Sequence, residues 1–205
     1  MKFKMTNITF QKIIQEVRER VISLAKQNGW MWFYNLHQKE VIESANDLLK
    51  FYPKVDRKIV LISCWLHDIA HYYAKNEKEI LAVKKNHHID GAKIAQEILL
   101  NYKLSQEEIE KIKNCVLNHR NHQNYAPKTL EEKVVATADA LSHFRSIFYL
   151  TYFKFHPEHS LEEMVKTDLE KIKRDWRDLG LLPKSRKIAE LEYKTLKKML
   201  SGYKG

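Results

Sequence analysis

The feature that most constrains this chain is the dipeptide His67-Asp68, which lies inside the apolar segment Val-Leu-Ile-Ser-Cys-Trp-Leu-His-Asp-Ile-Ala-His-Tyr-Tyr at residues 60–73. A charged side chain is costly to bury unless it is paired with an opposite charge or bound to a metal. Imidazole and carboxylate groups are both good ligands for divalent first-row metals. The dipeptide therefore indicates that the fold brings compensating groups, and further candidate ligands, to this segment.

Two more candidate ligands lie in segments of helical apolar periodicity on either side of the dipeptide. His37 lies upstream in segment 35–45, and Asp139 lies downstream in segment 134–141. The chain thus contains a His, then a His-Asp pair, then a distant Asp. Because the four side chains come from three predicted helices, a helical bundle must bring them to one point, as bundle cores do when they hold metals.

The predicted fold class is all-α, a compact multi-helix bundle. The 205 residues include only 5 Gly and 4 Pro, and no stretch shows the alternation typical of a strand. The length favours one domain over residues 1–205. We expect a metal-site core at about residues 30–150, with C-terminal helices at about residues 158–202 packed on it.

Most of the predicted helices start at residues that cap helices well. Asp56 is the expected N-cap of the helix that carries the dipeptide. Ser105, Thr129 and Ser160 each precede a Glu by three residues, the spacing of a capping box. The predicted helices run from about 7 to 26, 36 to 50, 56 through the dipeptide, 90 to 101, 105 onward, 129 to 153, 160 onward and 184 onward.

The ordered set of His37, His67, Asp68 and Asp139 resembles the HD-domain superfamily of metal-dependent phosphohydrolases, over roughly residues 30–150. The resemblance implies a bound divalent transition metal, namely one or two ions of Mn, Fe, Co, Ni or Zn. It also implies hydrolysis at phosphorus by a metal-bound water or hydroxide. In this interpretation Asp68 binds metal and also orients or deprotonates that water.

Members of the superfamily with two metals carry extra histidines in two intervals, which here contain His87-His88 and His119. The match is best for His88, just before a Gly-Ala helix start, and for His119. If both bind a second metal, Asp68 would bridge two ions about 3.5–4 Å apart. The open alternative is that these histidines line the cleft and contact phosphate.

His71 follows the dipeptide and lies one helical turn after His67, so it projects near the same point. The resemblance implies that it acts as an acid or orients substrate, which makes it, with Asp68, a candidate catalytic residue. A supporting hydrogen bond is the open alternative. The spacing also matches the zinc-protease motif with Asp in place of Glu, but that motif leaves His37 and Asp139 unexplained.

The phosphate groups of a substrate need cationic donors, and Arg is the preferred one. Arg120 and Arg145 lie nearest the candidate ligands in sequence, and Lys93 lies on the helix after the second histidine pair. These three are the predicted phosphate contacts, with exposed surface charges as the alternative. His143 lies one turn after Asp139 and is expected to support a ligand or to line the cleft.

The expected function is cleavage of a phosphoester or phosphoanhydride bond in a nucleotide or a related phosphorylated small molecule. The formal net charge of +10 favours anionic partners. It leaves open a nucleic-acid-binding or RNA-processing protein, since residues 166–204 are rich in Lys and Arg. A third possibility is an HD domain that binds a nucleotide as a regulator without catalysis. Association of the chain with itself is also open.

The expected location is the cytoplasm, without a membrane partner. No apolar run approaches the ~18 residues that span a bilayer. The first ten residues contain no apolar stretch like that of a signal peptide. Cys64 and Cys115 lie among apolar residues without metal-type spacing, so we expect reduced thiols that serve in packing.

Overall fold

The computed structural model describes residues 5–155 and 158–203, and within these ranges it contains helices and turns but no β-strand. The prediction of an all-α fold is confirmed. Residues 1–4, which belong to the segment compared with signal peptides, lie outside the described ranges. The helices are α1 Met5–Gln27, α2 Met31–Phe33, α3 Lys39–Leu49, α4 Arg57–Leu66, α5 Ile69–Tyr73, α6 Glu77–Lys84, α7 His87–Leu99, α8 Gln106–Asn118, α9 Leu130–Phe144, α10 Phe148–Phe155, α11 Leu161–Leu179, α12 Ser185–Ile188 and α13 Glu190–Ser201, with a π-helical turn Tyr34–Gln38 between α2 and α3.

The core lies between α3, α4, α8 and α9, which pack against one another. Each of these helices contributes a large side chain that is fully buried, and these are Leu48, Ile62, Ile112 and Leu141. Burying each such side chain stabilises the fold by about 1.5–3 kcal/mol. Helix α1 covers the outer side of α4, α7 packs on α8, and α11 packs on α9. The helices that carry the His-Asp pair are therefore held from several sides.

The helix predicted through the His-Asp dipeptide is interrupted at the dipeptide itself. Helix α4 ends at Leu66, Asp68 has φ −108° and ψ 21°, and α5 begins at Ile69. Two consecutive residues of a continuous helix lie about 100° apart around its axis. The break therefore allows the side chains of His67 and Asp68 to face the same point.

The helix predicted to run from about residue 129 to 153 is also two helices. Helix α9 ends at Phe144, and α10 begins at Phe148. The Ser146 hydroxyl donates to the carbonyl of Ser142 and accepts from the backbone N–H of Phe148, so one side chain satisfies both helix ends. The resulting turn places the Phe148 ring 4.0 Å from the ring of His143.

Helix starts follow the predicted caps at most positions. The carboxylate of Asp56 accepts the backbone N–H of Lys58 at 2.9 Å, as an N-cap does. The helix predicted from about residue 90 begins earlier, at His87. Two of the three predicted capping boxes are confirmed, those of Ser105 with Glu108 and Ser160 with Glu163.

The third capping box forms only in part, because Glu132 has other partners. Thr129 accepts the backbone N–H of Glu132, but the Glu132 carboxylate accepts from Asn118 Nδ2 at 2.9 Å and from the backbone N–H of Lys128 at 2.8 Å. Glu132 is buried. It therefore ties the end of α8 to the start of α9.

Among the helices of the described ranges, none is both long enough and apolar enough to span a membrane.

Replacing Glu132 with Ala should lower the free energy of unfolding by about 2–3 kcal/mol, because the buried amide of Asn118 loses a charged acceptor. Urea denaturation at neutral pH measures this change. Replacing the exposed Glu97 on α7 with Ala is the matched control, and it should stay within about 0.5 kcal/mol of the wild type. Equal effects of the two substitutions would contradict the role given to Glu132.

Candidate metal centre

The four residues of the ordered set meet at one point of the bundle. His37 Nε2 lies 3.1 Å from His67 Nε2, 3.3 Å from Asp68 Oδ2 and 3.2 Å from Asp139 Oδ1. His67 Nε2 lies 3.4 Å from Asp68 Oδ2 and 3.7 Å from Asp139 Oδ1. His37 comes from the π-helical turn, a helix irregularity that is frequent at functional sites. The geometry thus brings together every member of the set, although metal binding by it stays a prediction.

The hydrogen bonds of the two imidazoles show that this cluster suits a cation. His67 Nδ1 donates to the carbonyl of Cys64 at 2.8 Å. The Ser142 hydroxyl gives its proton to the carbonyl of Asp139 at 2.7 Å, so it accepts from His37 Nδ1 at 3.0 Å. When both rings are neutral, their lone pairs are on Nε2, and the two Nε2 atoms face each other. A cation between them turns this repulsion into coordination, and such Nδ1 bonds are the usual support of a metal-bound His.

The charges of the cluster lead to the same conclusion. Burial lowers the pKa of His37, but the carboxylates of Asp139 and Asp68 outweigh burial and raise it to about 9. Burial alone would raise the pKa values of both carboxylates, but the surrounding imidazoles hold them well below their usual range. Two ionised carboxylates in a buried site match a divalent cation in charge. The donor set therefore fits the metal that the sequence predicts.

A second pair of imidazoles faces the other oxygen of Asp68. Asp68 Oδ1 is buried and has no hydrogen-bond partner within the described part of the chain. His87 Nε2 lies 3.5 Å from it, and His119 Nε2 lies 3.7 Å from it. Both rings donate Nδ1–H to backbone carbonyls, those of Lys84 at 2.9 Å and Val116 at 2.6 Å. Two more lone pairs are thus directed at one carboxylate oxygen.

The imidazole that faces Asp68 Oδ1 beside His119 belongs to His87, whereas the sequence pattern favoured His88; metal binding by either histidine stays a prediction. The His88 ring lies against Tyr125, with ring centroids 5.0 Å apart. The physical reason is helix phase, because α7 includes both histidines and adjacent helical residues point about 100° apart. A Cβ on Gly91 would lie 3.4 Å from the His67 carbonyl oxygen, so α7 approaches the centre on this face. His87 is four residues before Gly91 and shares that face, a signal that the sequence contained.

His71 lies beside one carboxylate oxygen of Asp68 and beside the ring of His87. Its Nδ1 lies 3.5 Å from Asp68 Oδ2, and its ring centroid lies 4.5 Å from that of His87. Asp68, His71 and His87 form a second group whose ligand atoms could hold one metal. His71 Nε2 is buried without a hydrogen-bond partner among the residues that the structure describes. The catalytic role predicted for His71 stays a prediction.

His143 connects the cluster to Asp175, a residue that no sequence pattern singled out. Its ring stacks on His37 at 5.0 Å, and its Nε2 lies 3.7 Å from Asp139 Oδ1. On the other side, His143 Nδ1 donates to Asp175 Oδ2 at 3.0 Å, and the Tyr149 hydroxyl donates to the same oxygen at 2.8 Å. Asp175 lies on α11 among charges that resemble a solvated helix face, so no local pattern distinguished it.

The three predicted phosphate contacts lie in other environments. The guanidinium of Arg145 pairs with Asp47 on α3 at 2.9 Å. Asp47 lies about three helical turns after the candidate ligand His37. Lys93 is an exposed residue of α7. Arg120 is exposed and donates Nη1–H to the carbonyl of Lys85 at 2.7 Å. Of the three, Arg120 bonds nearest to the site, because its acceptor Lys85 is two residues before His87.

The cluster is open to solvent on one side. The side chain of Asp139 is 20% exposed and that of His71 is 14% exposed, while the other candidate ligands are more deeply buried. Two rings flank this opening, Phe33 with its centroid 4.9 Å from that of His37 and Phe148 beside His143. Substrate access is therefore expected past Asp139 and His71.

Replacing His87 with Ala should remove about one metal per chain from protein loaded with Mn²⁺ and then desalted, because one imidazole no longer faces Asp68 Oδ1. Replacing His88 with Ala should leave the metal content unchanged. Inductively coupled plasma mass spectrometry measures both, with the exposed His122 replaced by Ala as the control. Loss of metal from the His88 variant alone would contradict the assignment of His87.

Comparison with known proteins agrees with this geometry. The family model described as the HD domain matches residues 36–143, more than half of the chain. The matched span includes every candidate ligand named above, and it ends before α10 and α11. No curated protein and no solved structure matches the chain. Proteins of this family are generally metal-dependent phosphohydrolases. The chain belongs to the HD-domain family.

Proposed function

We propose that this protein is a metal-dependent phosphohydrolase that cleaves a phosphoester or phosphoanhydride bond of a nucleotide or a related phosphorylated small molecule. The observation that carries the proposal is the position of Asp68 between two pairs of imidazoles. Its Oδ2 faces His37 and His67, and its Oδ1 faces His87 and His119. A buried carboxylate in this position could serve as a ligand to two cations, one on each side of it.

The chain's own residues divide into two sets around Asp68. The first set would hold one cation through His37, His67, Asp68 Oδ2 and Asp139. The second set would hold another through Asp68 Oδ1, His87 and His119, with His71 beside it. When bound, a divalent cation lowers the pKa of water and neutralises charge on phosphoryl oxygens.

The residues around the cations prepare the site for hydrolysis. Burial of the imidazoles excludes bulk water, and this strengthens every charge–charge interaction with a phosphoryl group. Asp68 orients the attacking water from beside both cation positions. His71 points Nδ1 toward Asp68 and keeps Nε2 for a proton, which it can give to the leaving oxygen. The partly exposed Asp139 marks the side from which the substrate enters.

Aromatic rings beside the opening support a nucleotide as the substrate. The Phe33 ring lies 5.8 Å from that of His71, and the exposed Trp32 packs edge-on to Phe33 at 5.7 Å. Planar side chains of this kind stack nucleobases with little sequence preference. The alternative of nucleic-acid binding rests on the net charge and on the Lys and Arg residues of segment 166–204, not on the geometry around Asp68. The alternative of a regulator does not require a carboxylate between two imidazole pairs.

Purified protein supplemented separately with Mn, Co, Ni or Fe should hydrolyse 4-nitrophenyl phosphate or nucleoside phosphates, and EDTA should abolish the activity. Replacing His67 with Ala should reduce kcat/KM by more than the roughly 10–100-fold that loss of a supporting residue costs. The exposed His122 replaced by Ala is the control and should retain full activity. Failure of the wild type to hydrolyse any of these phosphates with any of these metals would overturn the proposal.

A further inference from the structure

Helix α11 brings a buried carboxylate to the candidate metal centre from outside the matched HD-domain span. Asp175 and His143 are both buried, and Asp175 Oδ2 lies 3.0 Å from His143 Nδ1. His143 is the last residue of the matched span, whereas Asp175 lies well after it. Burying a carboxylate costs free energy unless its partners compensate for it. This pair is therefore the contact through which α11 can act on the centre.

The partners of Asp175 determine which nitrogen of His143 carries the proton. The Tyr149 hydroxyl donates to Asp175 Oδ2 at 2.8 Å, and Lys171 Nζ lies 3.2 Å from Oδ1. An ionised carboxylate only accepts hydrogen bonds, so the proton of the His143–Asp175 bond is on His143 Nδ1. Lys171 Nζ is also 3.4 Å from this nitrogen, but Asp175 is its closer partner. In the neutral ring the lone pair is therefore on Nε2.

The other ring nitrogen of His143 faces a candidate metal ligand. His143 Nε2 lies 3.7 Å from Asp139 Oδ1, the same oxygen that His37 Nε2 approaches to 3.2 Å. The rings of His143 and His37 stack with centroids 5.0 Å apart and with an angle of 12° between their planes. Two imidazoles thus present their Nε2 atoms to one carboxylate oxygen. Because His143 and Asp139 are four residues apart on α9, one helical turn sets this arrangement.

The distance between His143 Nε2 and Asp139 Oδ1 suits two ligands of one cation. A lone pair and an ionised carboxylate oxygen repel each other, and a cation that both of them bind removes the repulsion. Bonds from a first-row metal to nitrogen and oxygen are about 2.0–2.2 Å long, so two ligand atoms of one ion lie at most roughly 4.2 Å apart. The separation of 3.7 Å from His143 and that of 3.2 Å from His37 are both within this limit.

The bond from His143 Nδ1 to Asp175 is the kind of support that metal-bound histidines have. A ligating imidazole usually donates its other N–H to a carboxylate or a carbonyl, which fixes the tautomer and makes the ring a stronger ligand. His67, His87 and His119 donate to backbone carbonyls. His143 donates to a carboxylate, which is the stronger acceptor. The ring of His143 is thus prepared for a cation in the same way as the other imidazoles of the centre.

We propose that His143 is a further ligand of the cation at Asp139, and that Asp175 is the positioning residue that holds its ring from α11. The inference rests on the metal centre of the proposed function and adds a ligand outside the ordered set. It also couples the two parts of the chain, because α11 lies outside the matched span and packs on α9. Binding of the cation and packing of α11 should then stabilise each other.

Calorimetric titration of metal-free protein with Mn²⁺ tests the support from α11 without requiring activity. D175N keeps the size of the side chain and removes its charge, so it should raise the Kd of one bound Mn²⁺ by roughly 10–100-fold. D178N is the matched control, because Asp178 is a buried carboxylate of the same helix that bonds to Asn121 and Arg177 instead. It should change the Kd by less than about twofold. Equal weakening by D175N and D178N would overturn the role of Asp175.

Proton NMR of the Co²⁺-loaded protein tests ligation by His143 itself. The unpaired electrons of Co²⁺ shift the ring N–H protons of bound imidazoles far from all other protons, and the bond to Asp175 protects His143 Nδ1–H from exchange. H143F keeps an aromatic ring beside Phe148 and should remove one of these resonances. H122A, at an exposed histidine, should remove none. D175N keeps the imidazole and should shift or broaden the same resonance, which guards against misfolding of H143F.

These measurements separate the failure of this inference from the failure of the proposed function. If H143F and D175N leave every shifted resonance of the wild type unchanged, His143 is not a ligand, whatever the protein hydrolyses. If the variants behave as expected but the wild type hydrolyses no phosphate, the proposed function fails and the ligand stands. A wild type that binds neither Mn²⁺ nor Co²⁺ overturns both.

Discussion

The structure depends on one buried carboxylate that four imidazoles share. Burial alone would raise the pKa of the Asp68 carboxylate, but His67, His71 and His37 hold it well below its usual range. Its Oδ1 faces the Nε2 atoms of His87 and His119, whose Nδ1–H groups donate to backbone carbonyls. The Nε2 lone pairs of His87 and His119 are directed at this carboxylate oxygen, an arrangement that favours a bound cation. The local irregularities of the helices follow from this requirement. The π-helical turn carries His37, the break after Leu66 carries His67 and Asp68, and the close approach at Gly91 brings α7 with His87 to the same point.

The hydrogen bonds that hold the candidate ligands extend outside the matched HD-domain span. Backbone carbonyls and one serine fix the inner imidazoles, and these groups lie within a few residues of the ligands or on α9. His143 is held differently, by Asp175 and its neighbour Lys171 on α11. The C-terminal helices are therefore joined to the centre by charged contacts as well as by apolar packing. The same α11 packs on α9 and brings Lys171 Nζ to 3.4 Å from His143 Nδ1.

The sequence predicted what depends on residue type and local spacing, and it missed what depends on orientation. The all-α fold, the cap at Asp56 and the capping boxes at Ser105 and Ser160 follow from short-range chemistry and are confirmed. His88 was preferred to His87 because a choice between adjacent residues needs the phase of α7. Asp175 gave no signal, since its partner His143 is 32 residues away. Arg145 is close to Asp139 in sequence, but its ion pair with Asp47 forms only in the folded bundle.

The most direct test of the central claim is anomalous diffraction from crystals of the protein grown with Mn²⁺, measured on both sides of the manganese absorption edge. We expect two anomalous peaks about 3.5–4 Å apart, on either side of the Asp68 carboxylate. One peak should lie among His37, His67 and Asp139, and the other beside His87 and His119. Absence of any peak at Asp68 in crystals that contain manganese elsewhere would contradict the account.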